Sequence, residues 1–136
     1  MNDIVRQALA ITPASPARDR TIDITTTGRR SGRAHRIEIW FYCAGGQIYL
    51  SSLPGKKDWY ANLIADPNFT FHLKNGVVAD LPAIATPITD EDERRRILGE
   101  IVDDLNQPGN PARIPQPTRL EDWVAGSPLA EVTFDD

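Results

Sequence analysis

Phe69, Phe71 and Leu73 alternate with Thr70, His72 and Lys74, and the dipeptide Asn75-Gly76 follows before an apolar run resumes at Val77. Period-two alternation places every second side chain on one face of an extended chain, so a strand is the element that buries this set. Asn-Gly favours the positive-φ geometry of a two-residue turn whose twist matches the flanking strands. The expected element is an antiparallel hairpin, with His72 exposed on its polar face. Pro82 in the returning strand lacks an N–H and predicts an edge position or a bulge.

Similar signals recur along the chain. Thr21 to Thr27 is rich in β-branched residues, His35 to Cys43 is a long alternating run, and Ile48 to Ser52 returns after the turn at Ala44–Gln47. Leu129 to Phe134 reads as a closing strand. Helices are expected between these strands. Asp3 to Ile11 carries Ile4, Val5, Ala8 and Leu9 on one side, and the prolines of "TPASPARDR" end it. Asp58 to Ala65 is a helix with Asp58 as N-cap and a stripe of Trp59, Tyr60, Leu63 and Ile64. The clearest helix follows Thr89 as cap: Asp90 to Glu93 complement its positive end, and Ile97, Leu98, Ile101, Val102 and Leu105 form its buried stripe. A short last helix is capped by Thr118 and stopped by Gly126.

Five or six short strands joined mostly by hairpins argue for an α+β chain built on an antiparallel barrel or sandwich. Regular strand–helix alternation, which a doubly wound parallel sheet needs, is absent. The organisation expected is one domain over 1–136, with a helix and arm over 1–20 and a Pro-rich loop over 108–117.

The 136 residues carry a formal charge of −4. General nucleic-acid binding normally requires a basic excess, so no nucleic-acid partner is expected. No apolar run is long enough to cross a bilayer, no secretory signal opens the chain, and the single Cys43 lies in a strand-like run. A cytoplasmic location is expected, and no metal site.

Positive charge is nevertheless concentrated in "TTTGRRSGRAHRIEIWF", Thr25 to Phe41. Gly28 and Gly32 admit a tight turn, its N–H groups can form an anion-binding concavity, and Arg29, Arg30 and Arg33 add guanidinium donors. By itself this is equally a solvated Arg-rich turn. It matches neither the Walker loop nor the dinucleotide G-x-G-x-x-G turn. Along the following strand His35, Ile37, Ile39, Phe41 and Cys43 share one face, placing His35 at its open end. A second basic step, Ser51, Ser52, Gly55, Lys56 and Lys57, precedes the helix at Trp59, where backbone N–H groups favour anions. Trp59 and Tyr60 are expected to pack first.

Taken in order, "TTTGRRSGRAHRIEIWF" and "DWYANLIADPNFTF" resemble the deazaflavin-dependent nitroreductase and quinone-reductase family, whose members share a T-T-G-R-x-S-G turn and a W-Y-x-N-L-x-A-x-P helix. The resemblance covers Thr21 to Leu73, and the "EDWVAGSPLAEVTF" tail more loosely. It implies a split β-barrel, Greek-key-like, similar to the FMN-binding barrels, and an oxidoreductase that uses coenzyme F420. Hydride would pass to a quinone, nitro compound or similar small-molecule acceptor. By the same resemblance Arg30, Ser31, Gly32, Arg33 and His35 hold the cofactor's phosphate and acidic tail. Ser51, Ser52, Lys56, Lys57 and Trp59 lie against its ring system. No catalytic residue is implied, and only His35, whose imidazole can carry a proton, is a candidate to protonate a reduced acceptor. Relatives often carry arginine at the position of His35 and proline at those of Ala34 and Glu38, which leaves FMN as the alternative cofactor. Barrels of this family often pair, so a homodimer is expected. The other reading is a flavin- or deazaflavin-binding carrier or sensor without turnover.

Overall fold

Among the described residues, six strands close on themselves in the order β1-β2-β3-β6-β5-β4, every neighbouring pair antiparallel. The computed structural model describes residues 1–112, 114 and 117–135. In chain order the elements are α1 (Asp3–Leu9), α2 (Ala17–Arg20), β1 (Thr21–Thr27), β2 (Ala34–Ala44), β3 (Gln47–Ser51) and α3 (Asp58–Ala65). There follow β4 (Asn68–Leu73), β5 (Ala79–Pro87), α4 (Glu91–Asn106), α5 (Leu120–Gly126) and β6 (Leu129–Phe134). Of the two architectures open to the sequence, the chain adopts the barrel. Closure is made where Asp23–Thr25 of β1 pairs with Thr70–His72 of β4.

Alternation sorts side chains into two cores. The barrel interior takes Ile22, Ile24, Phe41, Leu50, Phe71 and Val132, with the small Ala83, Ala85 and Ala130 making room for the rings. Phe71 meets Phe41 and Phe134 edge-on, each at 5.3 Å between centroids. Outside the barrel, α4 and α5 cover β2 and β3, burying Tyr42 and Tyr49 beneath Ile97, Leu98, Ile101, Leu105 and Trp123. The far half of β2 is therefore buried on both faces, while its near half, from Ala34 to Glu38, stands exposed. That exposed half carries the arginine turn. The C-terminal end of α5 is held by Arg94, whose guanidinium donates to the carbonyls of Ile88, Trp123, Val124 and Ser127.

Several local expectations are corrected. The Asn75-Gly76 turn is not a two-residue loop: β4 ends at Leu73 opposite Ala79, and five residues, Lys74 to Val78, connect the strands. Asn75 spends its amide on the carbonyls of Arg18 and Thr21, which draws the loop toward the start of β1. The tight two-residue turn is Gly45-Gly46 between β2 and β3, where φ is +55° and +79°. His72 is buried rather than exposed, because its Nδ1 meets Asp80 Oδ1 at 2.6 Å and its Nε2 meets Thr25 Oγ1 at 2.7 Å. Pro82 sits in a paired strand opposite Thr70; its carbonyl accepts from the Asp135 N–H just past the β6 ladder, so its missing donor falls at the ladder's end.

The caps differ too. Asp90, not Thr89, accepts from Glu93 at the start of α4; Lys57 is the N-cap of α3, with Asp58 its first residue. Arg119 precedes α5, and Thr118 bonds Asn106 instead. On α3, Asn62 is buried and Ile64 is 59% exposed; on α1, Ile4 is exposed. The "TPASPARDR" stretch holds the short α2, entered from Pro16. Pro108, Pro111 and Pro117 lie outside helices and strands as expected, whereas Pro115 lies outside the described residues.

Candidate functional site

The turn from Gly28 to Arg33 closes on itself. The Gly28 N–H donates to the Arg33 carbonyl at 2.8 Å and the Gly32 N–H to the Gly28 carbonyl at 2.9 Å, with Gly32 at φ +72°. Arg33 N–H donates to Ser31 Oγ at 3.1 Å, and Arg29 N–H to Asn62 Oδ1 at 3.1 Å. Among the described residues, the N–H groups of Arg30 and Ser31 are the two in this turn left without a protein acceptor. Adjacent free N–H groups in a turn form the concavity that suits an anion. The His35 ring folds over the turn: a Cβ at Gly28 would lie 2.5 Å from His35 Nε2 and 2.6 Å from Ser31 Oγ.

Three hollows run outward from this turn. The first, of about 370 Å³, brings together Arg30, Ser31, His35 and Trp59. The second, of about 540 Å³, lies over the start of α3 and includes Arg29, Lys56 and Lys57. The third, of about 400 Å³, is walled by Ile39, Trp40, Leu53, Ile114 and Trp123 and includes Ser51, Ser52 and Lys57. Arg29 and Asp58 border the first two, and Lys57 borders the second and third, so the hollows form one track. The loop carrying Lys56 and Lys57 is pinned to α5 where the Gly55 N–H donates to the Gly126 carbonyl at 3.0 Å.

The expected site residues play different parts. Among the described residues Arg30, Arg33, Lys56 and Lys57 form no ion pair, whereas Arg29 pairs with Asp58 and Arg36 with Asp23. Gly32 and Arg33 shape and close the turn but border none of these hollows. Ser51 is spent, its hydroxyl donating to the Pro128 carbonyl at 2.7 Å. Ser52 Oγ is buried with no partner among the described residues, the one expected site group left as an unsatisfied hydroxyl. Trp59 is 7% exposed and packs edge-on to Tyr60 within the barrel core, as its helical stripe predicts.

Sequence reasoning missed the supports. Asn62 accepts from the Arg29 guanidinium at 2.9 Å and donates to Thr26 Oγ1 at 3.3 Å, fixing the turn on α3. A polar Asn between Trp59 and Leu63 on the buried stripe of a helix was the available signal. The apolar walls Trp40, Ile114 and Trp123 also went unassigned, since they come from distant segments. Tyr42, at the base of the third hollow, stays a phenol: burial, reinforced by the Asp104 charge, pushes its pKa well above the ordinary value. A larger hollow, of about 790 Å³, lies at the other end of β2, where Glu100, Asp103 and Asp104 outnumber Arg6, the wrong balance for an anion.

A barrel with such a track, opening on an arginine turn, has counterparts among known proteins. Residues 10–110 match the family described as F420H2-dependent quinone reductase. The chain belongs to this family. Members of the F420H2-dependent quinone reductase family are oxidoreductases, and so is this chain. Among solved structures it is similar to a conserved hypothetical protein from Mycobacterium tuberculosis, at 18% identity and TM-score 0.66, covering 100% of this chain and 82% of that one. It is similar also to an F420-H2-dependent reductase, FDR-A, at 18% identity and TM-score 0.54, covering 84% and 94% of the two chains. A FAD-binding protein from Mesorhizobium loti matches at 11% identity and TM-score 0.57, covering 100% and 90%. At these identities the structural likeness shows the split-barrel fold alone. No curated protein matches the sequence significantly. Among the described residues, no helix is long and apolar enough to cross a membrane.

Proposed function

We propose that this chain oxidises reduced F420 and passes the hydride to a flat, uncharged acceptor of the quinone type. The observation that carries the reading is the track itself: cations without protein partners at one end, an apolar hollow with one unsatisfied hydroxyl at the other. A ligand with a phosphate and acidic tail on an aromatic ring presents those features in the same order. The coenzyme, when bound, supplies the hydride chemistry; the protein binds, orients and shields it. Arg30, with the N–H groups of Arg30 and Ser31, takes phosphate oxygens, and a guanidinium matches them in paired geometry. Lys56 and Lys57, on the hollow between the turn and the apolar end, carry the cationic edge from the phosphate toward the ring. Ser52 Oγ offers a hydrogen bond to the polar edge of the ring, and Trp40, Ile114 and Trp123 keep water from it. His35 stands with Arg30 and Ser31, away from the apolar hollow, so its place favours an anion contact over protonation of the acceptor.

Fluorescence titration with F420 and with FMN, followed by assay of F420H2 oxidation with menadione, tests the reading. Binding of F420 with turnover supports it; binding without oxidation makes the chain a carrier; binding of FMN alone replaces the coenzyme; binding of neither overturns it. Arg30→Ala should raise the Kd for F420 about tenfold, the worth of a charge-assisted hydrogen bond. Its melting temperature should stay at the wild-type value, because Arg30 is exposed and unpaired.

A further inference from the structure

The arginine turn and the lysines of the α3 start belong to separate stretches of chain, yet an anionic ligand must meet both at a set spacing. One buried side chain joins them. Asn62 is 5% exposed; its Oδ1 accepts from both the backbone and the guanidinium of Arg29, and its Nδ2 donates to Thr26 Oγ1. Thr26 ends the buried run of β1 just before the turn, and Arg29 directly precedes the two residues whose N–H groups are free. Asp58 also holds the Arg29 guanidinium, but its side chain is 92% exposed, and such a contact contributes little. Asn62 is therefore the desolvated tie between turn and helix.

We infer that Asn62 is a positioning residue for anion binding: it presets the Arg30–Ser31 turn against Lys56 and Lys57, resting on the function proposed above. A hydrogen-bonded turn loses its backbone freedom before the ligand arrives, so the ordering cost is not charged to binding. Freed from Asn62, the turn would have to order on each binding event. Turnover of the bound coenzyme, which depends on groups in the apolar hollow, would be little altered.

The test compares wild type with Asn62→Leu, close in volume but without polar atoms, and with Asn62→Asp, which keeps an oxygen toward Arg29. Asn62→Leu should raise the Kd and KM for F420H2 about tenfold or more, the cost of ordering one or two turn residues. Its kcat with menadione should stay within about twofold, and inorganic pyrophosphate should compete with F420 correspondingly less well. Asn62→Asp should recover affinity to within about threefold of wild type, through the retained contact to Arg29. A general loss of structure would lower kcat and the melting temperature with KM unchanged. That pattern, an unchanged Kd in Asn62→Leu, or an Asp variant as weak as the Leu variant would overturn the inference. Should Asn62→Leu fail to fold, Asn62→Ser, too short to reach Arg29, takes its place with the same expectations. Wild-type protein that binds neither F420 nor pyrophosphate would sink the proposed function and this inference together. Wild-type binding with an indifferent Asn62 variant would sink this inference alone.

Discussion

At Gly28 one added carbon governs where His35 can lie. The three atoms nearest a Cβ there are His35 Nε2, Ser31 Oγ and His35 Cδ2, at 2.5, 2.6 and 2.7 Å, closer than real contacts allow. All three belong to side chains, so Gly28→Ala should fold, with the imidazole swung away from the turn. Its His35 ring resonances should shift in a proton–nitrogen spectrum, and F420 affinity should fall severalfold. In a Gly28→Ala/His35→Ala pair the losses should not add, since both remove the same contact. Unshifted His35 resonances would refute the packing. At this scale the sequence marks residue types but not their employment. Arg29 and Arg30 are identical neighbours, yet one is spent on Asn62 and Asp58 while the other is free. Ser51 and Ser52 differ in the same way, because only the first meets the carbonyl of Pro128, a residue far along the chain. Which member of such a pair is available depends on distant partners that no local pattern records.

Strands and helices were legible from periodicity, because burial of one face imposes it locally. Loop length was less so: the alternation from Phe69 to Lys74 marks a strand, but Asn75 is drawn to the carbonyls of Arg18 and Thr21, and the hairpin opens to five residues. The polar outer face of β1, β2 and β4 shows a related effect. Asp23 on β1 accepts from Arg36 Nε at 2.9 Å and Lys74 Nζ at 2.7 Å, and Lys74 also bonds Glu38. Burial, the largest single influence, raises the Asp23 pKa, but the hydrogen bonds and charges of Lys74 and Arg36 together outweigh it and hold the carboxyl below its ordinary 3.8. A carboxyl depressed on folding stabilises the protein above its unfolded value, and that gain is lost as pH falls through the folded one. Asp23→Asn should therefore melt lower than wild type near neutrality, by on the order of 1 kcal/mol for a partly exposed network. The gap should narrow as pH drops below 3.8 and close beneath the depressed value. Melting curves of both proteins from neutrality down to about pH 2.5 check this. A gap independent of pH would remove the electrostatic account.

For the molecule as a whole, the hairpins β1–β2, β2–β3 and β4–β5 follow from chain order, whereas β1–β4, β3–β6 and β5–β6 join segments separated by helices. These distant pairings choose barrel over sandwich, and the patterning of single strands carries no register for them. The N-terminal arm is sewn to the far side of the chain in an equally non-local way. Arg20 is fully buried; it pairs with Asp104 of α4 at 2.7 Å, donates to the carbonyls of Thr12, Pro13 and Ser15, and lies 5.3 Å over the Trp40 ring. Through Trp40 this hub also backs the apolar hollow. Removing one member of a buried ion pair leaves the other uncompensated and costs about 3 kcal/mol or more, while removing both costs less than the sum. Arg20→Met and Asp104→Asn should each lower the urea midpoint by that measure. The double variant should be markedly more stable than additivity gives, because with both charges removed neither is left buried without its counter-charge. Additive losses would mean that the arm is held by its carbonyl contacts alone, and that the ion pair does not join the two ends of the fold.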